Sequence, residues 1–162
     1  MNHYKINKRT LAIVPISKSR SKIYEYNNVI VIKKNTEQVI KENCEYYGSS
    51  YEGRKKGTTE LIGVTHKSPI IIEDTHHIIF FPTSSPRLKT CSWISLNNLE
   101  SYESYENKSI LKFQNELSIQ LPVSNKIIDN QVLRATRLDS VSRHRKKVLN
   151  DDKTNKKNTK KV

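Results

Sequence analysis

The chain has 162 residues, only 35% of them hydrophobic, and a mean hydropathy of -0.71, so it can hold one domain with a modest core and leaves part of its length solvated. Its 29 Lys and Arg against 16 Asp and Glu give a formal net charge of +13, an excess that attracts nucleic acid, an anionic surface or an acidic partner. No apolar run approaches the roughly 20 residues of a membrane helix, and the opening M-N-H-Y-K-I-N-K-R-T lacks the apolar core of a secretory signal, so the chain reads as cytosolic with no membrane partner.

Residues 10–16 (T-L-A-I-V-P-I) are β-branched and apolar and predict a strand, with Pro15 marking it as an edge. After a basic turn at 18–22, residues 23–26 and 29–32 predict two short strands joined by Asn27-Asn28, a pair that tolerates the left-handed backbone of a tight hairpin. Asn35 with Gln38 three residues later forms a capping-box pattern, and Ile40, Cys44 and Tyr47 follow at helical spacing. A helix over 36–47 is expected, stopped by Gly48.

Residues 44–58 then read C-E-Y-Y-G-S-S-Y-E-G-R-K-K-G-T and hold three of the chain's four glycines. Ser49 or Ser50 can cap a second, short helical turn that Gly57 ends, leaving Arg54, Lys55 and Lys56 on a compact knuckle whose free N–H groups would suit a phosphate. Residues 58–95 read as strand-like: T-E-L-I-G-V, P-I-I-I-E, H-I-I-F-F-P and C-S-W-I-S are short apolar runs parted by turn residues. Residues 110–113 and 117–121 alternate as a hairpin around Gln114-Asn115.

Past Pro122, Ser124 can cap a long helix in which Ile128, Val132, Ala135, Leu138, Val141, Arg145 and Val148 form an apolar stripe, with Arg134, Arg137, Arg143, Lys146 and Lys147 opposite. Residues 134–162 carry 11 basic and 3 acidic side chains. From Asn150 the polar Lys and Asn run predicts a disordered basic tail, so the domain is expected over 1–149 and the tail over 150–162. The fold class is α+β: a β-rich antiparallel sheet or partly open barrel with a short inserted helix and a long C-terminal helix.

The chemistry points away from catalysis. Gly48 and Gly53 have the spacing of a phosphate-binding P-loop, but Arg54 and Lys55 stand where that loop needs Lys and then a hydroxyl for magnesium. Cys44, His66, His76, His77 and Cys91 lack the pair spacings of a zinc site, and neither cysteine sits in a nucleophile signature, so both read as buried structural thiols. No cofactor or metal is expected. Glycine for close approach, cations for phosphates and the hydroxyls of Ser49 and Ser50 together suit a polyanion. No helix pair matches a helix-turn-helix, and Tyr46, Tyr47 and Tyr51 near cations leave RNA or single-stranded nucleic acid as the alternative partner.

Y-G-S-S-Y-E-G-R-K-K-G-T, T-H-K-S-P-I-I-I, F-F-P-T-S-S and C-S-W-I-S, in this order and spacing, resemble the ComK family of competence transcription factors over roughly residues 11–137. The resemblance implies a cytoplasmic transcription activator that binds paired AT-rich boxes of double-stranded DNA, largely through the minor groove, as a homo-oligomer. It makes the loops 66–69 and 83–87 candidates for the DNA face, with Lys67 and Arg87 entering a narrow groove whose negative potential favours cations. The expected DNA-binding set is Ser49, Ser50, Tyr51, Arg54, Lys55, Lys56, Lys67 and Arg87. Family members continue past the position of Leu149 with a mixed helical tail tied to activation, hence to RNA polymerase, and to a proteolytic adaptor. This chain has the Lys and Asn run there, which leaves a non-activating DNA-binding relative as a further alternative.

Overall fold

The computed structural model describes residues 3–159, with side chains through residue 152. Its elements are β1 (Thr10–Ser17), β2 (Arg20–Glu25), β3 (Val29–Ile32), α1 (Thr36–Tyr46), α2 (Tyr51–Ile62), β4 (Ile70–Glu73), β5 (Ile78–Pro82), β6 (Trp93–Ser95), β7 (Leu99–Tyr105), β8 (Lys108–Phe113), β9 (Ser118–Leu121) and α3 (Asn125–Thr159). Two antiparallel sheets result: six strands in the order β3-β2-β1-β6-β5-β4, and three in the order β7-β8-β9. The architecture is α+β as expected, with two open antiparallel sheets, two helices between β3 and β4 and the long C-terminal helix.

The large sheet is buried on both faces, which is why β5 reads as a continuous apolar run. Successive side chains on a strand point to opposite faces, so Ile78 and Phe80 join one core while Ile79 and Phe81 join the other. The first core adds Tyr4 and Ile6 of the N-terminal segment, Val39, Ile40 and Cys44 of α1, and Trp93. The second adds Leu111, Phe113, Ile119 and Leu121 of the small sheet with Ile128, Ala135 and Leu138 of α3. The large sheet is therefore the middle layer, with α1 and the start of α2 on one side and the small sheet with α3 on the other.

Local signals place α1 and the β2–β3 hairpin. The Asn35 side chain accepts from Gln38 N at 2.9 Å while Asn35 N donates to Gln38 Oε1 at 3.0 Å, completing the capping box, and Gly48 follows at φ 87°. The turn at Asn27-Asn28 joins β2 to β3, closed by Glu25 N donating to Asn28 O at 2.9 Å.

Elsewhere the fold corrects the sequence-based expectations. β1 is an interior strand, bonded to β2 on one side and β6 on the other; Pro15 is tolerated because β6 pairs only Ala12 and Ile13, ending short of it. The short helical turn ending at Gly57 is a full helix: α2 runs through Gly57 and stops at Gly63, which sits in the left-handed region at φ 73° and donates to Thr59 O at 2.8 Å. The strand expected over T-E-L-I-G-V is consequently the last turn of α2, held there because Leu61 and Ile62 pack onto the second core. β7 is an added strand with little sequence signal, since L-E-S-Y-E-S-Y lies mostly exposed at an edge and shows no apolar alternation. The helical backbone of α3 also continues over residues 150–159, a stretch whose composition reads as disordered; the last three residues of that expected tail lie outside the described residues.

Candidate nucleic-acid interface

Helix α2 organises the basic stretch. The Ser50 side chain caps it by accepting from Gly53 N at 2.9 Å, satisfying one of the orphan donors of the first turn. Gly53 leaves that cap its room, because a Cβ there would lie 3.0 Å from Ser50 Oγ and 3.3 Å from Ser49 Oγ and both hydroxyls would have to give way. The far end of the helix is fixed by Thr58, buried, whose hydroxyl donates to Pro69 O at 2.6 Å.

A helix turns about 100° per residue, so three consecutive cations cannot share a face. Arg54 points into a groove of about 270 Å³ between α2 and α3, with Ser49, Gly57, Ser142, Lys146 and Asp74. It is half-buried, its Nε has no hydrogen-bond partner, and Lys146 Nζ bonds to Asp74 Oδ1 beside it. Lys55 faces the opposite way, and Lys56 is exposed between them.

Lys55 lines a cleft of about 520 Å³. Its walls are Tyr51, Glu52 and Lys55 of α2, Glu37 and Lys41 of α1, residues 65–68 of one loop and residues 85–87 of another. Lys67 and Arg87 thus meet Lys55 across 12 and 32 residues of sequence. Lys41 is paired with Glu37 at 2.9 Å, whereas among the described residues Lys55, Lys67 and Arg87 hold no ion pair. With Glu52 as the one further carboxylate on the lining, four cations face two carboxylates, and that excess focuses a positive potential on the concavity. The cleft floor also holds Ser68, buried, whose Oγ has no hydrogen-bond partner.

Of the eight residues expected at the DNA, the fold therefore brings Tyr51, Lys55, Lys67 and Arg87 together. Ser50 is spent on the cap, Ser49 and Arg54 belong to the second groove, and Lys56 stands on the outer surface. Tyr51 is a wall more than a handle: it is 8% exposed, its ring edge packs on Trp93 at 6.4 Å, and burial raises its hydroxyl pKa above the ordinary tyrosine value. The other two tyrosines form no stacking platform with it, since Tyr47 OH donates to Ile6 O and Tyr46, though exposed, packs edge-on against Tyr47. Trp93 is fully buried.

Residues that sequence reasoning misses hold the cleft in shape. Gln131 of α3 is buried and donates to Lys67 O at 2.9 Å and Pro82 O at 2.7 Å, and Arg134 Nη1 donates to His66 O at 3.1 Å. A signal exists: the buried positions of α3 are Ile128, Gln131, Ala135, Leu138 and Ser142, so Gln131 is an amide set among the apolar positions from Ile128 to Leu138. Both cysteines are buried free thiols, as expected; burial pushes Cys44 up to about 12 and Cys91 upward, which keeps them unreactive.

The sequence matches the family model described as "ComK protein" over residues 1–147. The chain belongs to the ComK family. It is 33% identical over 138 residues to a "Competence transcription factor" of Bacillus subtilis (strain 168), covering 83% of this chain and 72% of that relative. The match to the ComK family includes α2, both cleft loops and all but the last part of α3. No solved structure matches.

Proposed function

We propose that this ComK-family chain is a non-enzymatic, competence-type transcription regulator that binds AT-rich double-stranded DNA through the cleft and the adjoining face of α2. In this reading Lys55 and Lys56 neutralise backbone phosphates, and Lys67 and Arg87, carried on two loops at the cleft rim, enter the minor groove. The observation that carries it is the convergence of Lys55, Lys67 and Arg87 on one concavity, none of them in an ion pair among the described residues and outnumbering with Lys41 the carboxylates Glu37 and Glu52 on the same lining. Tyr51 supports the wall, Ser50 sets the start of α2, and Ser49 with Arg54 forms a separate polar groove that contributes to phosphate attraction from the side of α3.

Residues 1–149 form the DNA-binding unit in this reading and 150–162 a basic extension that adds non-specific affinity. The B. subtilis relative's description supports transcription as the process. Self-association on paired boxes, contact with RNA polymerase, an adaptor for proteolysis and a cytoplasmic location belong to the same proposal. Among the described residues no helix is long and apolar enough to cross a membrane. The single-strand alternative is disfavoured, because Tyr47 and Tyr51 are engaged in packing and hydrogen bonding instead of presenting ring faces.

The test is a gel-shift titration on an AT-rich duplex, a GC-rich duplex and a single strand at two salt concentrations. Every phosphate that a variant leaves unneutralised should reduce the log-log salt slope on duplex by about 0.9. Lys55→Ala is expected to lower that slope by about one unit, and Lys67→Ala or Arg87→Ala to narrow the AT preference. Equal binding to all three substrates, or a Lys55→Ala variant with unchanged affinity and slope, would refute the assignment of the cleft.

A further inference from the structure

The cleft is made from two loops far apart in sequence, and one side chain bonds to the backbone at the base of both. Gln131 uses both hydrogens of its amide, one on Lys67 O at 2.9 Å and one on Pro82 O at 2.7 Å, the residue that leads into the loop 83–87. Its carbonyl accepts from Arg134 Nη1 at 3.4 Å, and Arg134 in turn donates to His66 O at 3.1 Å. With Thr58 bonding Pro69 O, three backbone carbonyls of the loop 66–69 are consumed by side chains of α2 and α3. Each carbonyl turned toward a helix is a partial negative charge removed from the cleft, where it would oppose an anion. Lys67 itself stands at φ 49°, a left-handed backbone that a non-glycine residue adopts only when its surroundings impose it.

From this geometry we infer that Gln131 is the positioning residue of the DNA site: it locks the Lys67 loop and the Arg87 loop into one rigid unit, so that the two cations act on the same stretch of groove together. The inference rests on the reading of the cleft as a DNA site. Gln131 is buried and does not touch DNA itself. A clamp of this kind sets selectivity more than affinity, since cations on loosened loops still attract phosphates but no longer present one fixed spacing to a narrow groove.

Two measurements on the full chain decide it. Gln131→Met keeps the size and apolar stem while removing both donors, and Arg134→Ala removes the bonds to His66 O and Gln131 Oε1 but leaves both Gln131 donors on their carbonyls. Amide hydrogen exchange is expected to rise in both 64–69 and 83–91 for Gln131→Met, and in 64–69 alone for Arg134→Ala, with β1, β5 and β6 unchanged. In duplex titrations Gln131→Met should bring the ratio of AT-rich to GC-rich affinity toward one while low-salt affinity for any duplex falls less than about threefold. The Lys67→Ala and Arg87→Ala effects, coupled by roughly threefold or more in the native background, should become independent in Gln131→Met. Exchange rising evenly through the fold, or loops loosened with the AT preference intact, would overturn the proposal. If the native protein shows no duplex preference at all, the reading of the cleft falls, and the exchange result still decides whether Gln131 couples the loops.

Discussion

Gly57 and Gly53 lie four residues apart on α2, and alanine should stabilise the protein at the first and not at the second. At Gly57 the helix is continuous and a Cβ would meet nothing within 4 Å, so alanine adds no clash and leaves no cavity. What remains is intrinsic propensity, about 0.8–1.0 kcal/mol in favour of alanine in a helix interior. For a chain of this size that is a rise of about 2–4 °C in Tm. At Gly53 the new Cβ would sit 3.0 Å from the very Oγ of Ser50 that accepts from Gly53 N, so the cap must shift. Loss of an N-cap costs about 1 kcal/mol and offsets the propensity gain, leaving Gly53→Ala neutral or destabilised. Urea unfolding followed by circular dichroism reads both, with an unchanged slope confirming that only stability has moved. A destabilised Gly57→Ala would mean that α2 ends at Gly57, and the separation of Arg54 from Lys55 onto different faces would fall with it.

Lys67→Gly relieves the positive φ and should be more stable than Lys67→Ala by about 1 kcal/mol, while both lose the same AT preference; equal stabilities would show that the backbone there is not left-handed. Tyr102 OH donates to Asp129 Oδ1 at 2.6 Å, and that bond to a carboxylate, with burial and the Asp129 charge, raises its pKa to about 12. Because the folded value is the higher one, the bond between β7 and α3 contributes fully below the ordinary tyrosine value and is lost as pH climbs through about 12. An ultraviolet titration of the native protein minus Tyr102→Phe should show one step near 12, and a step at the ordinary tyrosine pKa would exclude the bond.

Much of the local structure is written in short range. Asn35 with Gln38 announces α1, Asn27-Asn28 announces the β2–β3 hairpin, and the unbroken H-I-I-F-F-P run announces a strand, because caps, turns and strand runs depend on residues a few positions apart. The ComK resemblance is equally legible, carried by four motifs whose glycines and aromatics occupy fixed positions. The length of α2 is not: Gly57 is a plausible stop in isolation, and only Thr58 reaching Pro69 and Leu61 and Ile62 packing on the second core carry the helix past it.

Four of the eight residues expected at the DNA share the cleft, and the tertiary structure alone chose which. Arg54, Lys55 and Lys56 are neighbours in sequence yet diverge, because helical rotation sends adjacent side chains to different faces. Lys55, Lys67 and Arg87 are distant in sequence yet converge, because pairing of β4, β5 and β6 brings their loops beside α2 and the Gln131 amide fixes two of them together. Composition determined that this chain carries a large excess of positive charge. The long-range bonds between sheet, loops and α3 decided where on its surface the cations would act as a group.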